Sequence, residues 1–257
     1  MTTLLQPIAL NLWMLTYPLK MLGADLRRNV TLIRLRSGQL VIHSTAPFSP
    51  EDIATIRSLG EPAWILDGIL RHDTFAKEGR AAFPELAYLA PAGFSDLVGF
   101  ETLPLVPTPD AWADELLALE IEGAPEARDT AMLHTASKTL ILTELVFNFG
   151  SNEPMWTELL LNVAVGGEHH PGMSRPFKWG VKDAAAFERS LEILLSWDFE
   201  RVIVGHGDVM ETGGKAKLRA AIQRAGFLKD EAPGHLATEE EGFGAAPAGE
   251  APGAACT

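Results

Sequence analysis

The chain has 257 residues, 47% hydrophobic and 21% charged, which is enough apolar material for a sizeable core and excludes a disordered or fibrous protein. A formal net charge of −13 with no clustered Lys or Arg excludes a phosphate-tracking nucleic-acid binder, which needs basic stripes to displace counterions. Cys256 is the only cysteine, so one chain holds neither an internal disulfide nor a thiolate cage, and a reducing, cytosolic setting is the expectation.

The segment from Leu4 to Leu22 is interrupted by Gln6, Pro7, Asn11, Pro18 and Lys20, short of the roughly 20 apolar residues of a membrane span. Its basic residues follow the apolar stretch, the reverse of a secretory signal, so the segment is expected to belong to the fold. Asn29 to Leu35 and Gln39 to His43 read as strands joined by Arg36-Ser37-Gly38 in a hairpin. Ser49 and Pro50 suit the N-cap and first position of a helix reaching about Leu59, with Glu51 and Asp52 at the positive end of its dipole. Ala63 to Leu70 is a strand-length apolar run, Phe75 to Phe83 a short helix stopped by Pro84, and Leu86 to Ala90 another strand.

Further on, Leu116 to Ile121, Thr130 to His134 and Thr139 to Leu145 read as strands, the last two linked by the polar turn Thr135-Ala136-Ser137-Lys138. Met155 to Val163 and Asp183 to Ser196 read as helices, Arg201 to Val204 as a strand running into Gly205-His206-Gly207, and Lys215 to Ala225 as a last helix ended by Gly226. Strands alternating with helices give layered α/β architecture. From Asp230 to Thr257, Ala, Gly, Pro and Glu dominate, with too little branched or aromatic surface to offset ordering entropy. A folded domain over residues 1–229 and a disordered tail over 230–257 are therefore expected.

Seven histidines are present, and His72, His134 and His206 each stand at or just after the end of a predicted strand. Strand ends converge on one rim of a sheet, so three imidazoles could surround one metal ion there, and Glu144 near the end of its strand could add an oxygen ligand. Such donors suit zinc, iron or manganese and leave a coordination position for water, which the ion acidifies into a nucleophile. Taken singly, each histidine also suits a hydrogen-bonded structural role, and no HExxH or CxxC spacing joins them.

Asp67 and Asp73 flank His72 as candidate catalytic groups or acceptors that fix its tautomer, with turn and cap roles equally open to both. His43 is a further rim candidate, His169-His170 lies in a Gly- and Pro-rich loop as lid or solvated surface, and His235 falls in the tail. Lys215 lacks a phosphate loop around it, since Ala216 and Val209 replace the required hydroxyl and first glycine. No serine has a G-x-S-x-G elbow, Ser137 included, which removes the serine-hydrolase reading. The six tryptophans are scattered and read as packing.

The segments Asn11-Leu12-Trp13, Leu40-Val41-Ile42-His43-Ser44, the stretch from His72 through Ala82-Phe83-Pro84, His134 to Asn148 and Val202 to Asp208, in that order, resemble the metallo-β-lactamase-like hydrolase superfamily. Within it they look like an uncharacterised branch found in bacteria and plants, and the resemblance spans most of residues 8 to 225. It implies an αββα sandwich of two mixed sheets packed face to face with helices outside, and a metal site at one edge. In that superfamily a strand ends in Asp-x-Gly, then come a His-x-His-x-Asp-His loop, a lone His, a metal-bridging Asp and a final His. Here His43 stands for the first Asp and Asp67 for the first loop His, while Ile69 and Arg71 occupy two further ligand positions. His72 keeps the last loop position, His134 matches the lone His, Glu144 the bridging Asp and His206 the final His.

One ion of a two-metal centre is thus short of ligands, and the Arg71 charge repels a second cation. What the resemblance implies is a reduced, mononuclear site of His72, His134, Glu144 and His206, holding zinc or alternatively iron or manganese. Such a site is expected to hydrolyse a small ester, thioester or phosphoester, the expected partner being a small molecule rather than nucleic acid or membrane. The alternatives are a non-catalytic binding protein that has lost the metal and a non-haem iron redox protein.

Overall fold

The computed structural model describes residues 4–150, 153–165 and 171–229; His169-His170, His235, Cys256 and the predicted tail lie outside the described residues. Among the described residues, two large sheets, one two-stranded ribbon and seven helices follow one another in the expected α/β rhythm. The first strands are β1 (Gln6–Ala9) and β2 (Leu12–Tyr17), an antiparallel pair turning at Asn11, which holds a positive φ of 62°. The Leu4–Leu22 segment thus belongs to the sheet, and its apolar character reflects burial of Leu12, Met14 and Leu15. A small hairpin of β3 (Lys20–Met21) and β4 (Ala24–Asp25) leads into β5 (Arg28–Arg34) and β6 (Gln39–His43).

Helix α1 (Pro50–Leu59) opens on a capping box in which Ser49 Oγ accepts from Asp52 N and the Asp52 carboxylate accepts from Ser49 N. Strand β7 (Glu61–Leu66) follows, then a tight turn over Leu70–Phe75, α2 (Ala76–Ala82), β8 (Ala87–Ala90), α3 (Phe94–Val98) and β9 (Leu103–Pro104). The second sheet comprises β10 (Leu116–Glu120), β11 (Thr130–His134), β12 (Thr139–Ile141) and, after α4 (Met155–Val165), α5 (Arg175–Gly180) and α6 (Ala184–Ser196), β13 (Arg201–Ile203). Helix α7 (Gly214–Arg224) closes the described fold. Among the described residues no helix is long and apolar enough to cross a membrane.

Side-chain parity builds the layers. Met14, Ile33, Val41, Leu66 and Leu89 of the first sheet meet Leu116, Met132, Ile141 and Ile203 of the second in one shared core. Their neighbours along the same strands, Leu32, Leu40, Ile42, Ile65 and Tyr88, turn the other way and pack on Ile56 of α1, Ala76 of α2 and Phe94 of α3. Ala131, Leu133, Leu140 and Val202 likewise turn outward onto Phe187, Leu191 and Leu194 of α6 and Leu218 and Ile222 of α7. The result is an αββα sandwich, as the resemblance implies.

Two strands are shorter than their apolar runs. The run from Ala63 was expected to continue to Leu70, but from Gly68 its backbone turns to the other sheet, where Gly68 O accepts from Thr130 N and Leu70 N donates to Ala127 O. The run from Thr139, expected to reach Leu145, leaves the ladder after Ile141, and Glu144 N donates to the Asp129 carboxylate. Both departures fall on the same edge and shape it into a site.

Candidate metal centre

Strand direction decides which residues reach that edge. Strands β6 and β7 are parallel, as are β12 and β13, so the C-terminal ends of all four deliver His43, Asp67, Glu144 and His206. Strands β5 and β11 run antiparallel to their partners and bring their first residues, Arg28-Asn29 and Asp129-Thr130, to the same edge. His134, at the far end of β11, is carried away. Four residues at about 3.3 Å each put it on the order of 13 Å from that edge. Its Nδ1 pairs with Ser137 Oγ at 2.7 Å inside the β11–β12 turn. The sequence-based expectation that His134 joins the other histidines therefore fails on topology.

The other three candidates do come together. His72 Nε2 lies 3.3 Å from His206 Nε2 and 3.5 Å from Glu144 Oε1, and His206 Nε2 lies 3.9 Å from the same oxygen. Donors about 2.0–2.1 Å from a tetrahedral ion stand roughly 3.4 Å apart, so this spacing fits a single cation. His206 Nδ1 donates to the Arg27 carbonyl at 2.5 Å, which fixes the tautomer and leaves the Nε2 lone pair turned inward. Burial lowers the His206 pKa to about 4 and that of His72 well below its ordinary value, with Arg28 adding to both, so both rings are neutral. The Glu144 carboxyl is pushed up to about 7 by burial and by Asp129. Two neutral imidazoles and a carboxylate converging lone pairs on one point repel one another unless a proton or cation stands between them. Among the described residues, these three form the group whose donor atoms share one centre.

The floor of the site is a buried polar network. Arg28, almost fully buried, donates to the carbonyls of Thr45 and His72 and stands 3.8 Å from Asp67 Oδ1. Asp67 also accepts from Thr45 N, Thr45 Oγ1 and Tyr88 Oη. Of the roles open to it, that of acceptor for the His72 imidazole is not met: Asp67 reaches that residue only through Arg28, and His72 Nδ1 is buried with no hydrogen-bond partner. Asp73, the other flanking carboxylate, is exposed, and its carbonyl caps α2 by accepting from Ala76 N, so its part here is in the turn. His43 is buried at the same edge with Nε2 unpartnered.

Three residues that sequence reasoning passed over hold the loops. Asn29 Nδ2 donates to the carbonyls of Val204 and Gly207 at 2.9 and 2.8 Å, fastening the His206 loop of the second sheet to β5 of the first. Asp129 holds the Glu144 loop, and Phe147 packs edge-on against the His206 ring at 5.3 Å. Gly207 has φ +100°, and a Cβ on it would fall 1.9 Å from Asn148 O. Gly207→Ala is therefore expected to destabilise the protein by about 2 kcal/mol, read from its urea midpoint, while Gly226→Ala, with open space around it, costs less.

No family model and no curated protein matches the chain. Solved structures do. The DIM-1 metallo-β-lactamase superposes with TM-score 0.59 at 16% identity, over 87% of this chain and 97% of its own. The FIM-1 metallo-β-lactamase from Pseudomonas aeruginosa, in its mono-zinc form, gives 0.60 at 12% identity over 88% and 96%. A metallo-β-lactamase from Erythrobacter litoralis gives 0.60 at 14% over 87% and 96%. The chain has the metallo-β-lactamase fold. On this metallo-β-lactamase scaffold, Ile69 is buried in the core of the second sheet and the Arg71 guanidinium stands beside Glu126, so neither supplies a metal ligand.

Proposed function

We propose that the protein is a metal-dependent hydrolase of a small ester, thioester or phosphoester, holding one divalent cation, zinc in the first instance, through His72, His206 and Glu144. The reading is carried by the 3.3–3.9 Å spacing of those three donor atoms, and the metallo-β-lactamase fold agrees with it. When bound, such an ion lowers the pKa of a coordinated water toward neutrality and so supplies a nucleophile. The chain's own residues set the geometry. The Arg27 carbonyl keeps His206 Nε2 as an acceptor, Arg28 fastens the His72 backbone, and Asp129 fastens the Glu144 loop. Glu144 is the one member with appreciable exposure, 18% of its side chain, so substrate reaches the cluster from its side. Its second oxygen would be free to accept a proton from a water that such an ion activates.

Metal analysis of the purified protein tests this. About one equivalent is expected, lost in His72→Ala and in His206→Ala and retained in His134→Ala. Metal-free wild-type protein whose stability ignores chelators would sink the reading in favour of a non-catalytic binding role. Two imidazoles and one carboxylate are also the donor set of non-haem iron oxygen chemistry. That observation keeps a second reading in view, and iron accompanied by a visible absorption band would establish it.

A further inference from the structure

Arg27, between β4 and β5, touches the His206 loop at two points. Its carbonyl accepts from His206 Nδ1 at 2.5 Å, and its Nη1 donates to Asp208 Oδ1 at 2.8 Å, two residues further along the same loop. Its Nη2 donates to Glu153 Oε1 at 2.5 Å, just ahead of α4, and its guanidinium carbon stands 5.2 Å from the centre of the Phe149 ring. Phe149 packs edge-on against Phe147, which in turn packs on His206. Between those two phenylalanines, Asn148 Nδ2 donates to Asp208 O at 2.8 Å. Asn29 and Asn148 thus hold the main chain of the loop, whereas the His206 ring nitrogen and the Asp208 carboxylate are both held by Arg27.

Arg27 does this from a left-handed backbone, φ +52°, a conformation that costs any residue with a Cβ. The Asp25 carboxylate supports it by accepting from Arg27 N at 3.0 Å. An ion pair with a partner as exposed as Asp208, 50% of its side chain, adds little stability. Strain set against weak pairs gains the fold little; what it secures is the direction of one carbonyl, and strain held beside a site is a pointer to function. We propose that Arg27 is a positioning residue of the candidate metal centre through its side chain as well as its carbonyl. The guanidinium, closed on Asp208 and Glu153, keeps the carbonyl aimed at His206 Nδ1 and so keeps Nε2 turned toward His72 and Glu144. An imidazole held from behind by a fixed acceptor is a better oriented and more basic ligand. The inference rests on the hydrolytic reading only for what Nε2 then binds.

The test is nitrogen NMR of the full chain with isotope-labelled histidine, together with zinc titration against a competing chelator, on wild type, R27M, R27K and D208N. In metal-free wild type the His206 ring is expected in one form, with its proton on Nδ1. R27M keeps an apolar stem against Phe149 but loses the clamp. It is expected to mix both tautomers and to bind zinc at least ~10-fold more weakly, with R27K between the two and D208N moving the same way by less. A merely structural role would lower the urea midpoint of R27M and leave the ring and the zinc affinity of the folded protein as in wild type, and that result overturns the proposal. Should R27M not fold, D208N decides on the same readings, because the half-exposed Asp208 can lose its charge without loss of the fold. Wild type that takes up no zinc would sink the hydrolase reading, while the ring spectra would still decide the role of Arg27. Zinc held equally by wild type and R27M, with their His206 rings alike, would sink that role and leave the metal centre standing.

Discussion

Asp67→Asn is expected to lower folding stability by about 3–5 kcal/mol, the range for removing one partner of a buried charge pair. The loss arises at Arg28 more than at Asp67 itself. Arg28 is almost entirely buried, and its guanidinium has two carbonyls for hydrogen bonding and the Asp67 carboxylate for charge. An amide of the same shape that keeps its oxygen for Thr45 N removes the neighbouring charge and offers an N–H toward Thr45 Oγ1 and Tyr88 Oη, both of which donate to Asp67 Oδ2 in the native protein. Urea unfolding of Asp67→Asn and of the double variant Arg28→Met, Asp67→Leu separates the causes. The double variant should recover much of the loss, because apolar groups leave no charge unpaired. An Asp67→Asn protein as stable as wild type would show that the pair is not what holds this end of the sandwich together.

The second large effect is acid sensitivity through His43. Burial, with Arg28 adding to it, lowers the His43 pKa from 6.5 to about 4. In the unfolded chain this ring takes up a proton below about 6.5, whereas the folded protein resists it until about pH 4, so stability is present above 6.5 and lost as pH falls through 4. At roughly 1.4 kcal/mol per unit the loss amounts to about 3 kcal/mol. The whole-protein curve hides it. Asp67 and Asp129, both raised to about 6 by burial, contribute in the opposite sense, stabilising below their unfolded pKa and ceasing to as pH rises through 6. The measurable quantity is therefore the stability difference between wild type and His43→Gln, expected to shift by about 3 kcal/mol against wild type between pH 7 and pH 4. A difference that stays constant across that range would mean His43 is already protonated, or reached by water, in the folded state.

Much of this architecture was legible in residue order. The alternation of Leu40, Val41 and Ile42 between two cores, the capping pair Ser49 and Asp52, and the α6 stripe of Phe187, Leu191 and Leu194 are local signals that survive packing. His72, Glu144 and His206 were expected together and are found together. His134 was misplaced because the end of a strand was read without its direction. The turn Thr135-Ala136-Ser137-Lys138 contained the correction: two strands joined by so short a connection run antiparallel, so their C-terminal ends cannot share a rim. Arg28, Asn29 and Asp129 escaped notice for a related reason. Polar residues at a strand's start look like its solvated end, and only the docking of one sheet on the other turns them inward.

Asn29 grips the loop around His206 across 175 positions of chain to Val204 and 178 to Gly207. Closing so large a loop carries an entropic cost that early, local structure does not offset, so this contact is expected to form late in folding. A cation held as proposed would accelerate nothing before that stage, because His206 is not yet beside His72, and would act instead as a latch, slowing the first step of unfolding.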